Sequence, residues 1–387
     1  MIQQSVLDAV AITGVGYTPI SRRSGKSVLE LATSACAHAL DDAGLPASEV
    51  DGIATFSFAA DSVPAQAVAT DLALDGLTWS LDASMGGQAP CYLVLNAAMA
   101  IASGAANNVL IYRALNGRSG ARVGQARSPG EAADHRYSLG FDAYAQFIAM
   151  WARRYLIETG HADEELSVVP IAQRAYAQDN PRAMVRDPLT YDGYLSSPLL
   201  VEPFRFVDCT IEVDGACAVL LSRRSRAQDL RQPPIRILSG GYAAGHGSGL
   251  DPGDSSLWGD LSRNYTSILA DDLWKQAGLS PREVDMAQVY DCFSSSVALG
   301  LEGLQLAERG GALDFIKSGE TGYGGQLPVN TNGGLLSEGY LHGMNTVAEA
   351  VLQLQGRGAT VPAQQPETCV VTSGAMMDGS AMVLGRW

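Results

Sequence analysis

The 387-residue chain reads as an α/β protein built from two copies of one fold, and three matches in the same order predict it. Residues 43–56 (AGLPASEVDGIATF) and 277–290 (AGLSPREVDMAQVY) share A-G-L-x-x-x-E-V-D followed by an apolar, strand-like run. Upstream, Ile12 to Tyr17 (ITGVGY) answers Ile237 to Tyr242 (ILSGGY). Downstream, Asp214 to Leu220 (DGACAVL) answers Asp378 to Leu384 (DGSAMVL). Each match alone is a common helix–loop–strand junction; together and in order they mark an internal duplication. The copies span residues 1–225 and 226–387, with Gln232-Pro233-Pro234 at the junction.

Within each copy, helices alternate with short apolar strands, the pattern of layered sheets. Ser27 to Ala43 places Leu29, Ala32, Cys36 and Leu40 at helical spacing. Gly44 stands where a helix ends on a left-handed glycine. Asp51 to Phe56 reads as a strand, Gln88 to Ala102 as a second apolar helix and Asn108 to Tyr112 as a buried strand. The D-G-x-x-x-V-L endings read as strands returning to the sheet. The first copy carries an insertion, about residues 114–207, that the second lacks. It holds an amphipathic helix, Tyr144 to Glu158, with Phe147, Ile148, Trp151 and Tyr155 on one face. That face reads first as core and second as the wall of a site for a large apolar ligand.

Apolar residues at 47% and charged residues at 17% describe an ordinary globular protein. With a net charge of −15, the short pairs Arg22-Arg23, Arg153-Arg154 and Arg223-Arg224 do not make the basic face a nucleic-acid binder needs. No run approaches the roughly 20 apolar residues of a membrane helix, and Met1 to Val15 has no secretory pattern. The six cysteines are scattered without a C-x-x-C and read as reduced thiols, so a cytoplasmic location is expected. The five histidines (His38, His135, His161, His246, His342) and the cysteines show no ligand spacing, so no metal is expected. The run Gly245-His246-Gly247-Ser248-Gly249 lacks the strand-to-helix context of a nucleotide fingerprint.

Several local motifs carry a family resemblance. Asn180-Pro181, Pro198-Leu199, Asp208-Cys209 and Asp214-Gly215-Ala216 look like the end of the N-terminal half of a sterol-carrier-protein type thiolase. Tyr290-Asp291-Cys292-Phe293 resembles that branch's H-D-C-F motif, and Asn332-Gly333-Gly334 with Gly339-Tyr340 resembles its N-G-G…G-H-P segment. The chain therefore resembles the thiolase superfamily over nearly its whole length. The resemblance implies a thiolase fold, with two duplicated βαβαβαββ halves in a layered αβαβα arrangement.

The departures from that pattern decide the chemistry. Where thiolases have C-A-S-G, this chain has Ser84-Met85-Gly86-Gly87, so Ser84 stands at the nucleophile position. Tyr290 and Tyr340 replace the two motif histidines, and Ser373, in Thr372-Ser373-Gly374-Ala375, replaces the second cysteine. A thiolate takes an acyl group from CoA because it is a good nucleophile near neutral pH, and Ser84 has no evident histidine partner. Cys91, the nearest other thiol, is expected on the helix beyond the turn and not at its N-terminus. Acyl transfer is thus not expected, while binding a thioester and stabilising its enolate are. The combination resembles bacterial lipid-transfer-protein-type steroid side-chain aldolases, in which tyrosines replace both histidines. That resemblance implies retro-aldol cleavage of a β-hydroxyacyl-CoA to a ketosteroid and propionyl-CoA.

Such a cleavage needs a base for the β-hydroxyl proton, donors for the thioester oxygen and an acid for the α-carbon. Donors aimed at the developing charge usually contribute most to the rate, and proton transfer adds roughly 10²–10⁴-fold. The resemblance assigns catalysis to Tyr290 and Tyr340, and more weakly to Tyr242. The chemistry makes the first two an acid/base pair around the scissile bond, with Tyr340 favoured as base and Tyr290 as acid or enolate donor over the reverse order. The alternative for any of the 14 tyrosines is a core side chain hydrogen-bonded to backbone. Ser84, Gly86, Gly87, Ser373, Gly374 and His342 are the candidate substrate-binding residues. The glycines either present N–H donors or occupy turns that only glycine fits. His342 either tunes Tyr340 or is structural; Asp291 reads as structural and Glu338 as either.

No cofactor is implied beyond the CoA of the substrate. The resemblance implies a homodimer and a complex with a separate OB-fold, zinc-ribbon acyl-CoA-binding protein, with no nucleic acid and no membrane. A thiolase and a non-catalytic lipid or acyl-CoA carrier are the rival functions.

Overall fold

The computed structural model describes residues 1–120, 122–125, 133–141, 143–248, 258–360, 362 and 364–387; Gly249 of the glycine run lies outside them. The strands are β1 (Val10–Tyr17), β2 (Gly52–Ser57), β3 (Trp79–Ser84), β4 (Asn108–Asn116), β5 (Leu199–Val201), β6 (Phe204–Arg205), β7 (Asp214–Arg223), β8 (Ile235–Ala244), β9 (Met286–Gln288), β10 (Thr368–Ser373) and β11 (Asp378–Arg386). The main helices are α1 (Val28–Ala43), α2 (Ala89–Ala102), α3 (Tyr144–Thr159), α4 (Val168–Asp179), α5 (Thr266–Ala277), α6 (Ser294–Gly303) and α7 (Met344–Leu354).

The repeated sequence is a repeated structure. α1 starts on a capping box, with Ser27 accepting from the Glu30 amide and the Glu30 carboxylate returning to Ser27. It ends on Gly44 at φ 71°, and α5 ends on Gly278 at φ 69°. A 3₁₀ turn follows each glycine, Ala47–Glu49 and Pro281–Glu283. The aspartate of each E-V-D then anchors the start of the neighbouring strand. Asp51 accepts from the Asn107 and Asn108 amides at 2.7 and 2.9 Å, and Asp285 accepts from Glu367 and Thr368, both at 2.9 Å.

The strands form one nine-stranded sheet in the order β3-β2-β4-β7-β1-β8-β11-β10-β9. Read outward from the β1–β8 junction, β1-β7-β4-β2 of the first copy reappears as β8-β11-β10-β9, with each pairing keeping its sense. The junction rests on a single pair, Ile12 with Ile235. The second copy departs at the counterpart of β3, which shrinks to one parallel bridge, Ala287 with Val329. There Asn330, at φ 51°, uses its side-chain amide as a strand would use its backbone, accepting from Val289 N at 2.7 Å and donating to Val289 O at 2.9 Å.

Three apolar interiors separate the layers. α1 covers the outer face of the first copy, and α5, α6 and the inserted α3 cover that of the second. Between the two sheet halves lie α2 and α7, which pack on strands of both copies and form the third interior. The aromatic face of α3 is core: Phe147, Ile148, Trp151 and Tyr155 are all buried. Strand β4 runs on past Tyr112 to Asn116 and carries a fully buried Arg113 within it, an extension that the charged side chain hid in the sequence.

Candidate active site

The turn from β3 into α2 and two segments of the second copy converge. Tyr290 follows β9, and its amide is fixed by the Thr372 hydroxyl at 2.8 Å. Tyr340 precedes α7, with its amide donating to Ile211 O at 2.9 Å. Fifty residues apart in sequence, their hydroxyls meet at 3.2 Å, and the side chains are only 3% and 6% exposed. Burial holds both phenols well above their ordinary pKa. For Tyr290 the neighbouring Tyr340 adds to the rise, whereas for Tyr340 the hydrogen bond from Tyr290 and the Arg113 charge oppose it. Both are therefore neutral phenols and not phenolates at neutral pH.

The glycines of the turn make room for side chains. A Cβ built on Gly87 would lie 2.1 Å from Tyr290 Oη, so the phenol occupies the space that any larger residue would fill. A Cβ on Gly86 would face Gln88 Oε1 at 3.1 Å and His342 Nε2 at 3.6 Å. Gly374, at φ 116°, is instead closed in by the Asp378 carbonyl, 2.6 Å from its would-be Cβ, which fits the tight-turn reading. Ser84 ends edge strand β3 and is exposed; the residue that touches the Tyr290 phenol is Gly87, three positions on.

Ser373 is buried and tied to the first turn of α2. Its hydroxyl accepts from the Cys91 amide at 3.1 Å and donates to Cys91 Sγ at 3.2 Å. Cys91 thus lies in the first helical turn, contrary to the sequence-based expectation, because α2 begins at Ala89. The position confers no thiolate character, since burial pushes the Cys91 thiol up to about 12. Cys292, two residues from Tyr290, is likewise pushed up to about 12 by burial. All six cysteines are free. Among the described residues no cluster of three or more His, Cys, Asp or Glu could hold a metal.

Tyr242 approaches the same turn from its other side. Its hydroxyl donates to Asp378 at 2.7 Å, its ring lies 5.5 Å from that of Tyr92, and it is 39% exposed. Ser380, its partner across the ladder, donates to Gln88 O at 2.7 Å. The structure brings Tyr242 to the border of the site but not into the phenol pair. Asp291 is structural: its carboxylate accepts from the Leu335 and Leu336 amides at 3.0 and 3.3 Å, and burial raises it to about 7. Glu338 belongs to a buried network, holding Asn180, Asn332, Asn345 and Arg182 under the Tyr340 segment.

His342 is 3% exposed, adopts φ 56° and packs its ring 4.8 Å from that of Tyr340, with Phe56 and Phe58 on its other sides. Arg113 from β4 donates to its Nδ1 at 2.9 Å and pairs with Asp61 at 2.5 Å. The sequence reading missed Arg113 and Asp61. The available signal was a lone charge in the apolar run Val109 to Leu115, because a fully buried charge requires a partner.

Residues 250–386 match the family described as thiolase C-terminal domain-like. The chain is 38% identical to the 17-hydroxy-3-oxo-4-pregnene-20-carboxyl-CoA lyase of Mycobacterium tuberculosis, over 97% of this chain and 98% of the other. It is 37% identical to the steroid side-chain-cleaving aldolase of Thermomonospora curvata over the same shares. Among solved structures, the Ltp2-ChsH2(DUF35) aldolase superposes with a TM-score of 0.91 at 36% identity, covering 98% of each chain.

Proposed function

Given that this chain belongs to the sterol-carrier-protein thiolase-like branch of the thiolase superfamily, beside the steroid side-chain-cleaving aldolases, we propose that it catalyses retro-aldol cleavage of a steroid β-hydroxyacyl-CoA, giving a ketosteroid and propionyl-CoA. The observation that carries this reading is the buried phenol pair, 3.2 Å apart, whose Tyr290 is seated on a turn that lacks the thiolase cysteine.

The geometry supports a neutral relay. As the Cα–Cβ bond breaks, its electron pair passes into the thioester as an enolate, and the β-carbon becomes a ketone. The β-hydroxyl proton goes to Tyr340 Oη as that oxygen passes its own proton to Tyr290, and Tyr290 delivers one to the α-carbon. Both phenols end as they began, and neither is ever a free phenolate, which suits groups whose pKa burial has raised. Atoms and electrons balance within the substrate, so no cofactor beyond its CoA is needed. Tyr242, paired to Asp378 at the border, is the third candidate.

A homodimer is supported by β3, an edge strand of the sheet with alternating half-buried and exposed residues. A DUF35-type partner is supported by the Ltp2-ChsH2(DUF35) aldolase, whose name joins two components. A cytoplasmic setting is supported by six free thiols; among the described residues no helix is long and apolar enough to cross a membrane.

The test is product analysis with a steroid β-hydroxyacyl-CoA and the candidate partner. Tyr340→Phe and Tyr290→Phe should each lower ketosteroid release by roughly 10²–10⁴-fold with circular dichroism unchanged. Wild-type turnover by Y340F would remove the relay, and CoA-dependent acyl transfer by the wild type would remove the lyase reading.

A further inference from the structure

The phenol relay moves protons but leaves the enolate oxygen unattended, and the structure holds a buried group beside the phenol pair with a fixed proton to give. Arginine has only donors. Because Arg113 donates to His342 Nδ1 at 2.9 Å, that nitrogen must be the acceptor, and the neutral ring carries its proton on Nε2. Arg113 cannot swing away. It is fully buried within β4, pairs with Asp61 at 2.5 Å, donates to Phe56 O at 2.9 Å and lies over the Phe56 ring. Asp61 is itself held by the Phe58 amide at 2.9 Å.

Nε2 points at the turn, 3.6 Å from the Cβ position of Gly86. Among the described residues no group accepts its proton, although the residue is only 3% exposed. The neighbouring position, Gly87, seats the Tyr290 phenol. Two side-chain donors thus face two consecutive glycines.

We propose that His342 Nε2–H is the oxyanion donor for the thioester oxygen, and that Arg113, backed by Asp61, is the positioning residue that fixes its tautomer. This rests on the aldolase reading and deepens it. The assignment gives the three functions to three groups: Tyr340 and Tyr290 carry the proton, and His342 holds the charge. The groups facing the imidazole agree with a ring that stays neutral. They are the Arg113 guanidinium from β4 with Asp61 behind it, the phenol of Tyr340 on its own segment and, beyond that, those of Tyr290 and of Tyr144 from α3. Burial first, and the Arg113 charge second, hold the ring well below the ordinary histidine range.

Two measurements test it on the full chain with its partner. Nitrogen-15 NMR of histidine-labelled protein, with the His342 signal identified by its loss in His342→Leu, should show a neutral ring protonated at Nε2 across about pH 5–8. A ring that protonates near the ordinary value of about 6.5, or one protonated at Nδ1, overturns the proposal without reference to activity. In turnover, H342L should lose roughly 10²–10³-fold in kcat with KM little changed. His342→Gln, which keeps an N–H, should recover about tenfold of that loss. Equal, near-normal kcat for both variants overturns the role. A wild type inactive on every β-hydroxyacyl-CoA would refute the aldolase reading, and the spectrum would still decide the state of the ring.

Discussion

One methyl group on residue 87 probes the whole arrangement. In Gly87→Ala the new Cβ would stand 2.1 Å from Tyr290 Oη and 2.3 Å from Cζ, so reaching ordinary contact at 3.4 Å requires the phenol oxygen to move about 1.3 Å. The ring has little room to retreat. Gly343, at φ 85°, is packed so tightly against it that a Cβ there would lie 2.8 Å from Cδ2 and Cε2, and the Tyr290 amide is pinned to Thr372. A shift of that size breaks the 3.2 Å bond to Tyr340. Overpacking of this kind costs about 1–3 kcal/mol, and misplacing a reacting group by ~1 Å costs on the order of 10²-fold in rate. The assay is the initial rate of ketosteroid release beside a melting curve. Gly87→Ala should fall about 100-fold in kcat and melt a few degrees lower. Gly86→Ala, whose nearest neighbour is a Gln88 side-chain oxygen at 3.1 Å, should be milder on both counts. A G87A enzyme with normal rate and melting point would refute the seating of the phenol.

The remaining predictions concern protonation. With Cys91 and Cys292 both pushed up to about 12 by burial, iodoacetamide at about pH 8 should leave activity intact and reach these thiols only after unfolding; rapid inactivation with label on either would reveal a working thiolate. For the phenols the sign follows from linkage. Their folded pKa values lie above the unfolded value of about 10, so the stability they contribute is complete below that pH and drains away as pH rises through and beyond it. Spectrophotometric titration should show Tyr290 and Tyr340 ionising only together with alkaline unfolding, and kcat should have no tyrosine limb below about pH 9; a limb near neutrality would mean that a phenolate exists.

The duplicated frame was legible because its markers are local. A glycine ending a helix, a short turn and the aspartate that anchors the neighbouring strand of the sheet all fall within nine residues, and both copies keep them. The reduced third strand of the second copy was not legible, since nothing local announces that Asn330 will lend its side chain in place of a ladder. In the site, the substitution of tyrosine at 290 and 340 could be seen through the family motifs, but their contact is a product of folding. Arg113 and Asp61 were missed for the same reason: 52 residues separate them, and His342 lies 229 residues beyond Arg113. The glycine pair was visible, yet its purpose needed the far side chains that fill the space it leaves.

The middle interior has a wider meaning. Its side chains run from Leu7 to Leu384, and the helix of each copy lies against strands of the other. The first copy has an outer interior of its own, but the middle one belongs to neither copy alone, so severing the chain at Gln232-Pro233-Pro234 would yield two mutually dependent pieces and not two small proteins. The seam also divides labour. The first copy contributes the cradle, Gly86, Gly87 and Arg113, while the second contributes what rests in it, Tyr290, Tyr340 and His342. An ancient doubling has left a molecule whose candidate site lies along the line where its twins touch.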